Sequence, residues 1–251
     1  MWNPFRSKPV CPIDPEPRAW LDERFGWLEA QFGRERMLGA RVILPTAEFF
    51  PDPYEGRPED VQVMMERVAG YMNVDAGRLE LVLFSNDHGM PQTGPGPRIT
   101  SGPAGLYMRG DDDGGDAAER TRIGIEVGQL ADPMTLVATL AHEIGHELLL
   151  GEGRVSGDEA DHEPLTDLLT VFLGMGVFTG NSTLQDRGWS DGLWAGWQTR
   201  RLGYLDQRTF GYALARFAWA RGEGAPDWIK HVRPDVRAPM KQGLKFLTRG
   251  S

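Results

Sequence analysis

Apolar positions in the first half of the chain switch repeatedly between helical and strand spacing. Trp20, Leu21, Phe25, Leu28 and Phe32 recur at intervals of three and four, which predicts a helix over 17–32. Residues 41–44 then read as a strand, 49–58 as a proline-rich loop, and 59–71 as a helix carried by Val61, Met64, Met65 and Val68. An apolar strand is predicted at 79–84, a short one at 106–108, and a half-buried one at 122–127, where apolar and polar residues alternate. Glycine and proline crowd 87–105, and 110–116 is an acidic glycine run. That run lacks the sixth-position glycine and twelfth-position glutamate of an EF-hand loop, so it reads as a solvated loop tip.

From residue 132 onward the pattern is helical. Asp132 is a suitable N-cap, Pro133 suits the first helical position, and Gly151 is a suitable stop, which predicts a helix over 133–150 about 27 Å long. Leu136, Val137, Leu140, Ala141, Ile144, Leu148 and Leu149 surround most of its circumference, as expected of a buried helix. A second apolar run (Leu165, Leu168, Leu169, Val171, Phe172, Leu173) follows, and 193–203 and 209–220 read as helices with a core of aromatic side chains. The expected fold is therefore α+β. A mixed-sheet α/β subdomain over 1–131 meets a helical subdomain over 132–251.

Composition narrows the partners. Of 251 residues 40% are apolar and 25% charged, which is ordinary for a globular protein, and the net charge of −9 argues against a nucleic-acid partner. Arg237, Lys241, Lys245 and Arg249 recur every four residues, which reads as a solvated helix face. The single cysteine, Cys11, excludes an intramolecular disulfide. The first twelve residues lack the apolar stretch of a secretory signal, and the uncharged portion of 168–185 is broken by Thr179-Gly180-Asn181. A cytoplasmic protein with no membrane span is expected; the sequence leaves the oligomeric state open.

The chemistry lies in the buried helix. His142-Glu143-Ile-Gly-His146 is an H-E-x-x-H pattern, and a helix places the two histidines on one face roughly 40° apart, where they can share a metal. Glu143, offset by about 100°, is free to act as proton acceptor for a metal-activated water. A buried helix that also carries Glu147 demands an account of its polar groups, and a metal supplies one. Downstream, Glu163 and Asp167 lie four residues apart at the start of the second apolar run and so project from one helix face. Asp161 and His162 are alternative third ligands, but only Glu163 has a carboxylate partner one turn on.

These residues, about a tenth of the chain, resemble the signature of the gluzincin class of zincin-type zinc metallopeptidases: H-E-x-x-H followed by a downstream helix bearing E-x-x-x-D. The resemblance implies a zincin-like fold with an active-site helix, Zn²⁺ held by His142, His146 and Glu163, Glu143 as general base, and Asp167 accepting a ligand imidazole N–H. The gap from His146 to Glu163 is shorter than in thermolysin-like members, and His162 stands where an asparagine often precedes the ligand glutamate. The implied activity is hydrolysis of peptide bonds in a peptide or protein substrate. Tyr204 or Tyr212, and after them His231 or His162, are candidate oxyanion donors. By its position the 122–127 strand is expected at an exposed sheet edge, where it could pair with an extended substrate. The competing reading is a regulatory or partner-binding protein that retains the metal site without catalysis.

Overall fold

Local signals set where the helices begin. In the computed structural model, which describes residues 9–85, 100–101, 105–108, 120–182, 184–190, 195–201 and 205–249, α1 (Pro15–Phe32) starts with proline in its first turn and buries Leu21, Phe25 and Leu28. A short α2 (Arg34–Gly39), which periodicity does not announce, follows Gly33, whose φ of 85° lets the chain break direction. The 41–44 segment is not a strand. It runs as irregular chain against the turn after the second buried helix, where Ile43 donates its N–H to the carbonyl of Gly174 at 3.0 Å. Gly174 has φ 88°, and a Cβ there would sit 2.1 Å from the carbonyl oxygen of Arg41, so this close approach requires glycine.

The helix α3 (Pro58–Tyr71) buries the predicted Val61, Met64, Met65 and Val68. It leads into a mixed sheet of β1 (Leu79–Phe84), β2 (Thr100–Ser101), β3 (Gly105–Met108) and β4 (Thr121–Glu126), in the order β1-β4-β3-β2. The strand β4 is parallel to β1, with Leu81 opposite Ile123, and antiparallel to β3, with Tyr107 opposite Ile123. It is therefore interior, which overturns the expectation of a substrate-binding edge at 122–127. Its buried Ile123 and Ile125, with Gly124 buried between them, suit a strand covered on both sides.

Asp132 caps α4 (Pro133–His146) by accepting the N–H groups of Met134 and Thr135 at 3.1 and 3.3 Å. The α-helix is shorter than predicted, because Glu147–Gly151 forms a single π-helical turn. Next come α5 (His162–Phe172) and α6 (Gly176–Asn181). The predicted helix over 193–203 is instead part of an antiparallel pair, β5 (Leu184–Ser190) with β6 (Ala195–Arg201). Its register sets Gly188 opposite Trp197 and Trp189 opposite Gly196, an exchange of aromatic and glycine that suits strands and would weaken a helix. The chain closes with α7 (Gln207–Ala220) and α8 (Pro234–Arg249); Lys241, Lys245 and Arg249 are exposed on α8, as the charge pattern predicts.

The architecture is thus mixed α+β. Helix α4 runs through its centre, packed on α3, α5 and α6 and against β3 and β4, while α1 packs on α5 and α7. One continuous core joins residues on both sides of position 131. Among the described residues no helix is long and apolar enough to cross a membrane. The acidic run 111–116 and Tyr204 lie outside the described residues.

Candidate metal centre

Helices α4 and α5 place five polar side chains against each other inside the core. His146, Glu143 and Asp167 are at most 2% exposed, and His142 and Glu163 are 8 and 9% exposed. Such burial is costly unless every polar atom has a partner. Two helices can approach this closely because position 145 is glycine: a Cβ there would lie 2.9 Å from the methyl of Thr166.

Both imidazoles turn their ring nitrogens toward oxygen atoms of α5. His142 donates its Nδ1–H to Asp167 Oδ1 at 2.9 Å, leaving Nε2 facing Glu163 Oε2 at 3.0 Å. His146 turns Nδ1 toward Thr166 Oγ1 at 3.3 Å, and its Nε2 stands 3.3 Å from the same Glu163 oxygen without the alignment of a hydrogen bond. Three potential ligand atoms, one from each of His142, His146 and Glu163, lie within 4.8 Å of one another. Two imidazoles and a carboxylate converging in this way are donor types that can hold a metal ion. These residues fit a divalent cation.

The electrostatics place the positive charge of the cluster on His142, whose Nε2 proton a metal would have to displace. Burial opposes the charged form of His142, but hydrogen bonds to Asp167 and Glu163 outweigh it and hold its pKa well above the ordinary histidine value. For Glu163 burial pushes upward, and the two imidazoles overcome it and hold the carboxyl far below its usual range. Burial holds His146 down at about 4, so it stays neutral, as a metal ligand must be. Burial also pushes Glu143 up to about 8, and its Oε2 has no hydrogen-bond partner among the described residues. Glu143 is thus a buried carboxylate close to the ligand cluster whose protonation changes near neutral pH.

Of the alternative third ligands, Asp161 points elsewhere. Its carboxylate accepts two hydrogen bonds from the Arg24 guanidinium, at 2.7 and 2.8 Å, and one from the Trp20 indole at 2.8 Å, which ties α1 to the start of α5. His162 is closer. Its Nδ1 donates to the Glu159 carbonyl at 2.7 Å, and its buried Nε2, without a hydrogen-bond partner, lies 3.4 Å from Glu163 Oε1. In that tautomer Nε2 accepts rather than donates, which does not suit an oxyanion donor. Tyr212 is buried on α7, where its surroundings include Asp22, Cys11, Arg18 and Arg216, and a Cβ at Gly243 would touch its ring at 3.2 Å; none of these belongs to the metal-ligand cluster. His231 lies in a short helical turn, its carbonyl accepting from Asn181.

Sequence reasoning misses two contributors and assigns Glu147 the wrong partner. Thr166 contacts His146, and the backbone N–H of Leu205 donates to Asp167 Oδ2 at 3.0 Å. Glu147 is not satisfied by a metal: it accepts from Arg78 at 2.8 Å, Thr121 at 2.8 Å and Tyr107 at 3.2 Å, which binds the π turn to the sheet. Only Glu147 leaves a sequence signal, as an acid in an apolar run. Compared with protein-family models, curated proteins and solved structures, the chain matches none.

Proposed function

We propose that the protein is a zinc-dependent hydrolase of zincin-like fold, a gluzincin-like metallopeptidase that cleaves peptide bonds with Glu143 as general base. The observation that carries this reading is the pairing of a three-donor cluster with a buried carboxylate whose Oε2 has no hydrogen-bond partner among the described residues. Zinc held by His142, His146 and Glu163 would act as a Lewis acid and bring the pKa of a water molecule to about 7. Glu143, raised to about 8, would in its carboxylate form serve as the base that takes a proton from the attacking water and passes it to the departing amine. Asp167 holds the His142 ring with its Nε2 lone pair turned inward throughout.

A non-catalytic regulatory or partner-binding protein is the second reading, and His162 is the feature that favours it. A fourth protein donor closes a zinc site, whereas catalytic sites keep one position for water. Cobalt(II) substitution separates the two, because its visible spectrum reports whether a water position is present. The direct test is zinc-loaded protein incubated with an unstructured protein substrate. Peptide-bond cleavage that is lost in His146→Ala and after chelation supports the hydrolase. Zinc bound without cleavage favours the second reading, and absence of zinc binding removes both.

A further inference from the structure

The two histidines on α4 are held by different kinds of partner. Asp167 restrains His142 through a carboxylate, whereas the partner of His146 Nδ1 among the described residues is the hydroxyl of Thr166, one residue earlier on α5. That hydroxyl has a single hydrogen, and it is already committed: Thr166 Oγ1 donates to the carbonyl of His162 at 2.8 Å, one helical turn back. Toward His146 it can therefore only accept. The proton of the His146 imidazole must sit on Nδ1, and the Nε2 lone pair must face Glu163.

Packing makes the arrangement rigid. Thr166 is fully buried, and its methyl group lies over Gly145, where any side chain would collide with it. The helical bond to His162 and the contact with Gly145 leave the hydroxyl little freedom to rotate away. Glu163, Thr166 and Asp167 thus share one face of α5, at i, i+3 and i+4, and meet both histidines of α4.

We infer that Thr166 is the positioning residue for His146: by accepting the Nδ1–H it selects the tautomer whose Nε2 can bind a metal. This inference rests on the metal-site reading but not on peptide hydrolysis. Histidine ligands generally need such a partner, and losing one typically weakens metal binding ten- to a hundredfold.

The test compares zinc affinities of the full chain by competition with a chromophoric chelator. Thr166→Val keeps the shape and removes the acceptor, so it should weaken zinc about ten- to a hundredfold, while Thr166→Ser keeps the acceptor, loses the methyl and should stay within a few-fold of wild type. A purely packing role gives the opposite ranking, with valine harmless and serine damaging, and would overturn the inference. Nitrogen-15 NMR of the zinc-loaded wild-type protein gives a second readout that needs no variant. Protonated Nδ1 with metal-bound Nε2 at His146 supports the assignment, and the reverse overturns it. Wild-type protein that binds no zinc overturns the metal reading itself, whereas zinc binding that Thr166→Val leaves unchanged overturns only the role of Thr166.

Discussion

The Nδ1–H of His142 meets Oδ1 of Asp167 at 2.9 Å, and the second oxygen of the same carboxylate takes the backbone N–H of Leu205 at 3.0 Å. One carboxylate thereby fixes a ligand imidazole and anchors the chain that enters α7. Asp167→Asn keeps the shape, but it has one acceptor oxygen where the carboxylate has two. We expect zinc affinity to fall about ten- to a hundredfold. Stability should also drop by about 1–3 kcal/mol from the donor left unpaired. Chelator competition and urea denaturation measure the two effects, and an Asn variant unchanged in both would remove Asp167 from the centre.

Glu143 is assigned a chemical step and no part in holding the metal. Glu143→Gln should therefore bind zinc within a few-fold of wild type and cleave an unstructured protein at least about a hundredfold more slowly, the usual contribution of a positioned base. Because its carboxyl is buried and its Oε2 has no hydrogen-bond partner among the described residues, the amide should not destabilise the fold. Equal cleavage rates in the two proteins would end the assignment.

The parts of this molecule that could be read from its sequence are those whose cause is local. Asp132 and Pro133 set the start of α4, and helical spacing alone puts His142 beside His146 and Glu163 beside Asp167. What escapes the reading depends on partners far along the chain. Nothing in 121–126 reveals that β1 and β3 flank it, so an interior strand resembles an edge. The aromatic residues of 193–203 fit helical spacing, yet Trp197 and Gly196 lie opposite Gly188 and Trp189 in a strand pair whose partner is not marked within that segment. The N–H of Leu205 is a backbone group and leaves no mark in the sequence, and a buried threonine such as Thr166 is indistinguishable there from a packing residue.

The start of α3 provides a pH dependence well away from the centre. The Asp60 carboxylate receives the Arg57 guanidinium at 3.0 Å and the N–H groups of Glu55 and Arg57 at 2.9 and 3.1 Å, and these bonds, led by Arg57, hold its pKa down at about 2. An unfolded aspartate titrates at about 3.9, so the stabilisation is complete above that value and is lost as the pH falls toward 2. Thermal unfolding from pH 5 to pH 2 should show a shallower fall in Tm for Asp60→Asn than for wild type. Parallel curves would show that these bonds to Asp60 are not intact in solution.

Glu147 and Gly151 are coupled through the π turn. A Cβ at position 151 would stand 2.1 Å from Glu147 Oε2, inside the cluster that carboxylate makes with Arg78, Thr121 and Tyr107. Glu147→Ala leaves the Thr121 and Tyr107 hydroxyls without their acceptor and should cost about 2–3 kcal/mol; Arg78 is half exposed and finds water. Gly151→Ala should cost about 1–3 kcal/mol by forcing the carboxylate aside. In the double variant the nearer colliding oxygen is gone and only the Tyr107 hydroxyl, 2.7 Å from that Cβ, has to shift, so the combined cost should fall short of the sum by at least about 0.5 kcal/mol. Urea denaturation of all four proteins at one fixed zinc concentration completes the cycle. Strictly additive costs would mean that the two positions do not meet, and the π turn would then need a cause other than the seating of Glu147 on the sheet.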